Sequence, residues 1–324
     1  MESLMTKQHY DIIGDIHGQA TELIQLLEKM GYRQHNGCYQ HPSRKVIFLG
    51  DFIDRGKQQR LVLETVMAMI QQGSALSVIG NHEFNAMAFH TPNPDNPDDW
   101  LRPHSMGNNQ QHQAFLDEYN DDSEELNKVL NFFYTLPLFL DLDGLRIIHA
   151  SWEPNWVQSL KPDLNSDNTL TKELLIKAST KGSHAYKTVE SLIKGVEYKL
   201  PNGITFDDKD GHPRKAVRTQ WWRNTDCTLG EIAIPANFLD QQTANITIKA
   251  EELVGYLSTE KPLFLGHYWM VGEPVPLADN VACLDYSVAK PGGKLVAYRW
   301  DGEQKLSKDK FIWIEREAHH DNNQ

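Results

Sequence analysis

The sequence predicts an α/β protein, and three observations carry that expectation. Short apolar runs rich in β-formers recur early in the chain: Tyr10-Asp11-Ile12-Ile13, Val46-Ile47-Phe48-Leu49 and Leu76-Ser77-Val78-Ile79. Their lack of strict polar alternation marks strands buried on both faces. Between them, Leu23, Leu26, Leu27 and Met30, then Val62, Val66, Met69 and Ile70, repeat at helical spacing, with Gly31 and Gly73 placed to end each helix. Strand, helix, strand, helix, strand is the βαβ order of a largely parallel core.

Each run ends in a glycine and a polar cluster: Gly14-Asp15-Ile16-His17-Gly18, Gly50-Asp51-Phe52-Ile53-Asp54-Arg55-Gly56 and Gly80-Asn81-His82-Glu83. Loops leaving the carboxyl ends of strands are where such sheets gather function. Residues 90–122, with Pro92, Pro94, Pro97 and acidic turns, read as an inserted loop. Asp122-Ser123-Glu124-Glu125 caps a helix running through about Phe133. Leu138–Leu140 and Leu145–Ile148 read as strands around the turn Asp143-Gly144, the second ending in His149-Ala150-Ser151-Trp152. Residues 153–216 are polar and broken by prolines, with one helix expected near 170–195, and form a cap or substrate-facing insert. Pro262–Leu265 is a strand ending in Gly266-His267, and Val281–Asp285 and Leu295–Trp300 close the sheet. The polar tail from about Ala318 is expected to be disordered. One domain over 1–324 follows, with a core at about 8–316 and the two inserts.

Composition removes several functions. Forty-four acidic against 32 basic residues give a net charge of −12, so attraction to nucleic-acid phosphate or anionic lipid is not expected. No run approaches the roughly 20 apolar residues that span a bilayer. The start of the chain has no basic segment followed by an apolar one. Cys38, Cys227 and Cys283 are too few and too scattered for a disulfide framework, so a cytoplasmic home is expected. No Gly-x-Ser-x-Gly or P-loop pattern occurs, which leaves acyl transfer and nucleotide-driven work without support.

The polar residues that follow strands are Asp15, His17, Asp51, Asn81, His149 and His267. These are oxygen and imidazole donors without a thiolate, a set suited to Mn, Fe, Zn, Ni or Co ions rather than to a cysteine-rich structural zinc site. Six donors match two ions that share one carboxylate, an arrangement that clamps a phosphate during hydrolysis.

In order, the five motifs resemble the signature of calcineurin-like metallophosphoesterases, and the Gly50–Gly56 form resembles most the phosphoprotein phosphatase branch and its bacterial relatives. That resemblance implies an αββα fold, a β-sandwich flanked by helices and carrying inserted loops. It also implies two divalent metal ions, manganese foremost, and hydrolysis of phosphate esters by attack of a hydroxide held between them. Asp15 and His17 would hold the first ion, Asp51 would bridge, and Asn81, His149 and His267 would complete the second. His82 would protonate the leaving oxygen, Asp54 would orient His82, and Arg55 would grip the phosphoryl group. A second phosphate-binding arginine is expected between the last two motifs, Arg223 first and Arg218 second.

Two departures bear on substrate. His149-Ala150-Ser151 stands where family members often carry glycine, and a narrower cleft is expected from the bulkier residues. The sequence that follows the last histidine in eukaryotic serine/threonine phosphatases is absent. Symmetrical diadenosine tetraphosphate hydrolases also resemble this chain, including Gly266-His267-Tyr268-Trp269, but commonly lack an aspartate at the position of Asp54. A phosphomonoesterase or protein phosphatase is therefore expected, with a dinucleoside polyphosphate hydrolase as the alternative. A non-catalytic scaffold is a further one, disfavoured because no motif residue is lost. Outside the motifs, His9, His35, His41, His90, His104, His112, His184, His212, His319 and His320 read as loop or surface residues, and Trp152 and Trp269 as packing or stacking groups beside the site.

Overall fold

The computed structural model describes residues 8–119, 122–201, 203–207, 213–234 and 239–316. The expected disordered tail and His212, His319 and His320 lie outside them. The elements that build the site run in chain order as β1 (His9–Ile13), α1 (Ala20–Lys29), β2 (Arg44–Phe48), α2 (Gln59–Gln71), β3 (Ala75–Ser77), α3 (Asn81–Phe89), α4 (Met106–Tyr119) and α5 (Ser123–Phe133). They continue as β4 (Phe139–Asp141), β5 (Arg146–Ile148), α6 (Pro154–Leu160), α7 (Lys172–Ser179), α8 (His184–Lys194), β6 (Leu263–Leu265), β7 (Val281–Cys283), β8 (Asp285–Tyr286), β9 (Lys294–Trp300) and β10 (Phe311–Glu315).

Two mixed sheets result. One has the order β8-β9-β1-β2-β3, with β10 also paired to β9, and the other β7-β6-β5-β4. β1, β2 and β3 are parallel, β9 is antiparallel to β1, and β4 is antiparallel to β5. Successive strand residues point to opposite faces, and the burial follows that alternation. Ile12, Ile47, Ile147 and Phe264 fill one core between the sheets, with Val296 and Tyr298. Their neighbours Ile13, Val46, Phe48, Ile148, Leu263 and Leu265 turn outward, into a core shared with Leu23 and Leu27 of α1, Val62 and Val66 of α2, and Leu192 of α8. Helices therefore cover both outer faces, the αββα arrangement expected from the motifs.

A buried charge ties β1, β2 and β9 together. The Asp11 carboxylate accepts from Arg44 Nε at 2.9 Å, Arg299 Nε at 3.0 Å and the Tyr32 hydroxyl at 3.0 Å. Three donors satisfy a carboxylate that would otherwise be costly to bury.

Two sequence expectations are corrected. Residues 90–122 are not a plain loop: a hairpin pairs Pro92–Asn93 with Asn96–Trp100, and the 14-residue helix α4 follows. His112, Phe115 and Tyr119, spaced by three and four, give α4 one buried face within an otherwise polar sequence. The single helix expected near 170–195 is two, α7 and α8. Gly182 sits at φ +86° in the break, and the Ser183 hydroxyl then caps α8 by accepting Tyr186 N at 2.9 Å. Farther on, Leu200, Val217, Leu229, Ile232 and Ile248 form a separate small core. All three cysteines are free and buried. Among the described residues, no helix is long and apolar enough to cross a membrane.

Candidate active site

The polar clusters converge where β1, β2, β5 and β6 end. Asp15 and His17 follow β1, Asp51, Asp54 and Arg55 follow β2, Asn81 and His82 open α3, His149 follows β5 and His267 follows β6. His17, Asp51, Asp54, Arg55 and His267 all carry φ between +47° and +72°. Non-glycine residues avoid that region, and its concentration here marks loops whose backbone is held by their surroundings so that side chains point inward.

Glu83 does much of that holding. Its Oε2 accepts Asp51 N at 2.8 Å and Gly80 N at 3.0 Å, and Oε1 accepts Phe52 N at 2.8 Å. Burial and then the neighbouring Asp51 push this carboxyl up to about 7. Glycine matters where backbone meets carboxylate: a Cβ on Gly80 would fall 2.2 Å from Asp51 Oδ1.

Asp51 lies at the centre. Its Oδ2 is 3.4 Å from His149 Nε2, 3.7 Å from His17 Nε2 and 3.9 Å from His82 Nε2, while Oδ1 accepts His82 N at 3.0 Å. The Asn81 side-chain oxygen lies 3.0 Å from His149 Nε2 and 2.8 Å from His267 Nδ1. Two groups of candidate ligands thus share Asp51: His17 and His82 on one side, His149 and His267 on the other, with the ligand atoms of each group within 4.8 Å of one another.

The unpartnered atoms test whether cations fit. His17 Nδ1 donates to the Ile53 carbonyl at 2.9 Å, which leaves Nε2 with a free lone pair. His17 Nε2, His267 Nε2 and Asp15 Oδ1 are buried without any hydrogen-bond partner. Buried polar atoms are ordinarily satisfied, and the orphans on His17 and Asp15 match cation ligands, while His267 turns Nδ1 toward the Asn81 oxygen and the centre. The electrostatics agree. Burial, His82 and Arg55 pull His17 down to about 3, and burial and Arg218 hold His267 well below its ordinary value. Both are therefore neutral imidazoles, the form that binds metal. Burial drives Asp15 well above the carboxylate range, reinforced by Asp285 and Asp51. For His149, burial is outweighed by Asp51 and Asp15, which push it up to about 10. Carboxylates that draw a proton onto a buried imidazole call for positive charge at this centre.

Beside this centre, His82 Nδ1 is 2.5 Å from Asp54 Oδ2. Burial disfavours charge on His82, but Asp51 and Asp54 outweigh it and raise its proton affinity. Asp54 Oδ1 meets a residue that the sequence reading left at the surface: His112 Nδ1, at 2.7 Å. His112 is buried, a correction whose reason is the apolar face of α4. Asp285 and Glu83 also went unassigned from the sequence. Asp285 is buried and accepts Trp269 N at 2.8 Å and Ser287 N at 2.9 Å, fixing the loop after His267.

A cleft of about 1360 Å³ opens over the centre, lined by Asp51, Asn81, His82 and His267 and by the cations Arg55, Arg102, Lys194 and Arg218. Arg55 lies over the Trp269 ring at 4.7 Å. Arg223 is not brought to this cleft. It is exposed, donates to Gln220 Oε1 at 3.0 Å and lines a separate cavity with Trp222 and Tyr256. Trp221 and Trp152 are packed in the core, with Trp221 Nε1 donating to the Ala150 carbonyl at 3.1 Å.

Residues 9–175, just over half of the 324-residue chain, match the family model described as calcineurin-like phosphoesterase, and the chain belongs to that family. Similar curated proteins include asymmetrical bis(5'-nucleosyl)-tetraphosphatases named PrpE. That of Anoxybacillus flavithermus is 49% identical over 74 residues, 22% of this chain and 30% of the relative. That of Oceanobacillus iheyensis is 32% identical over 146 residues, 43% of this chain and 54% of the relative. The matches therefore span about half or less of those relatives' length. Solved structures with a similar course include a protein serine/threonine phosphatase from Saccharomyces cerevisiae, 15% identical with a TM-score of 0.49, covering 97% of this chain and 81% of that one. A cold-active protein-tyrosine phosphatase of a Shewanella species is also 15% identical, with a TM-score of 0.44, covering 97% and 83%. The family match and the sheet-and-helix layers, rather than these distant likenesses, define the class.

Proposed function

We propose that this protein is a phosphoesterase working at a pair of divalent cations, and that it hydrolyses phosphomonoesters, including those of phosphoproteins. Asp15, His17 and Asp51 would hold one cation, and Asp51, Asn81, His149 and His267 the other. Bound there, the cations would supply an acidified water and positive charge opposite the phosphoryl oxygens. The remaining work falls to the chain itself. Arg55, with Arg218 as the second arginine, would orient the phosphoryl group from the cleft wall. His82 Nε2 would carry the proton that the leaving oxygen needs, and Asp54, accepting from Nδ1–H, would favour the imidazolium form in which Nε2 is protonated as well. The single observation that carries this reading is the pair of buried, unpartnered atoms, Asp15 Oδ1 and His17 Nε2, beside the Asp51 carboxylate.

The Asp54–His82 pair favours monoesters, because an alkoxide leaves poorly without a proton. Hydrolysis of dinucleoside polyphosphates is a second reading, favoured by a cleft far larger than one phosphate whose lining includes Arg55, Arg102, Lys194 and Arg218. The deciding experiment uses chelator-stripped protein, with and without added Mn²⁺, on para-nitrophenyl phosphate, a phosphopeptide and diadenosine tetraphosphate. Metal-dependent turnover of the first two supports the monoesterase. Turnover of the dinucleotide alone selects the second reading, and silence on all three despite metal uptake overturns both.

A further inference from the structure

We infer that His112, on helix α4, is a second imidazole clamp on Asp54 and a positioning residue for proton delivery by His82. The inference rests on the reading of His82 as the leaving-group acid.

The geometry is a triad centred on one carboxylate. Asp54 gives Oδ2 to His82 Nδ1 at 2.5 Å and Oδ1 to His112 Nδ1 at 2.7 Å, with all three side chains buried. Burial alone would favour a neutral Asp54, but the hydrogen bonds from His112 and His82 outweigh it and keep the carboxyl below its ordinary range. An ionised carboxylate only accepts, so both imidazoles donate from Nδ1. That fixes the His82 tautomer and leaves its Nε2 as the atom facing the centre, 3.9 Å from Asp51 Oδ2.

One hydrogen bond from His82 would leave the carboxylate able to turn about Cβ–Cγ. His112 occupies the other oxygen and removes that freedom. Its ring is itself held, stacked on Phe115 with centroids 4.7 Å apart and tilted against Phe89 at 5.1 Å. The helix that carries it is anchored at the same place. Glu118 of α4 accepts Gln59 N at 2.8 Å and Arg60 N at 2.9 Å, and the Gln59 side chain accepts Asp54 N at 2.9 Å. Asp54 is thus gripped by its backbone and by both oxygens, two of these contacts leading to α4. Gln110, Gln111 and Ala114, on the same turns as His112, line the cleft.

The test compares His112→Phe, which keeps the ring and loses the donor, with His112→Asn, whose amide can replace Nδ1–H. Each is assayed on an alkyl phosphate, which needs a proton to leave, and on para-nitrophenyl phosphate, which needs it far less. His112→Phe is expected to lose about 10- to 100-fold in kcat on the alkyl phosphate, the worth of one hydrogen bond to a charged group, and much less on the nitrophenyl ester. His112→Asn should recover most of the loss. Equal losses on both substrates, or none on the alkyl phosphate, overturn the inference. His82→Asn run in parallel separates the two levels: if it too lacks leaving-group dependence, the reading of His82 as acid has failed, and not only the role of His112. Should His112→Phe not fold, the ¹⁵N shifts of labelled wild-type histidines decide. Proton on Nδ1 of His112 is expected, and an Nε2-protonated His112 overturns the clamp.

Discussion

Gly266 and Asp15 meet so closely that a Cβ on residue 266 would fall 2.0 Å from Asp15 Oδ1. That oxygen is one of the buried atoms without a hydrogen-bond partner. The glycine after β6 therefore makes room for a carboxylate contributed by the loop after β1, and two chain segments some 250 residues apart share one site.

Gly266→Ala should displace Asp15 and weaken metal uptake by about 10- to 100-fold, the usual effect of disturbing the support of a ligand. Metal content after equilibrium dialysis, read beside the circular dichroism spectrum, checks this. Wild-type metal content in a folded variant would contradict it.

His82→Asn should remove most turnover of an alkyl phosphate, about 10²- to 10⁴-fold, the range of general acid catalysis. Both metals should stay bound, since Asp15, His17, Asp51, Asn81, His149 and His267 are untouched. Single-turnover kinetics with metal analysis of the same sample tests the separation.

The two arginines give opposite expectations. Arg218 lines the cleft and Arg223 a separate cavity. Arg218→Ala should weaken inorganic phosphate as a competitive inhibitor by about tenfold or more, the worth of one arginine–phosphate contact. Arg223→Ala should leave inhibition near wild type. Inhibition constants for both variants decide it, and the reverse ranking would restore Arg223.

Metal should stabilise the fold by linkage. Ligands that bind only the folded state add about 2.7 kcal/mol at one hundred times the dissociation constant. Thermal melts of stripped protein should rise on titration with Mn²⁺, and Asp51→Asn should flatten that response. A melt in Asp51→Asn that follows Mn²⁺ as wild type does would remove Asp51 from the bridging position.

Acid should weaken a second cluster, away from the site. Burial alone would raise Asp301, but Lys310, Arg44 and His9 outweigh it and hold its carboxyl below the usual value of 3.8. A folded-state value below the unfolded one means that the stabilisation is complete above about pH 4 and lost as pH falls toward the folded value. Urea midpoints measured from pH 6 down to 3 should therefore fall less steeply in Asp301→Asn than in wild type. Parallel slopes would exclude the contribution. Because Asp301 is about one-third exposed, solvent keeps the effect modest.

The candidate site was legible in the sequence where local chemistry announces itself. Asp15, His17, Asp51, Asn81, His149 and His267 each follow a strand, and the chain brings all six to one centre. Helices with a marked apolar period, α1 and α2, were legible too. His112 was not, because it sits in a glutamine- and asparagine-rich stretch. The one signal there was Phe115 and Tyr119 at spacings of three and seven, which place His112 on the buried face of α4. Glu83 and Asp285 were visible as residues but not as supports, since their work is to accept backbone N–H groups from loops that the fold brings beside them.

Periodicity and residue chemistry are local properties, so the family, the three parallel strands and two helices of the first eighty residues and the candidate donors could be read from the residues, whereas the hairpin that pairs Arg33–His35 with Cys38–Gln40 could not. Packing alone reveals which arginine lines the cleft, that the first insert holds a hairpin and a helix, and that its histidine ends on Asp54. Those outcomes depend on which buried face packs against which neighbour, and a carboxylate's second oxygen is satisfied by whatever the packing brings within 3 Å.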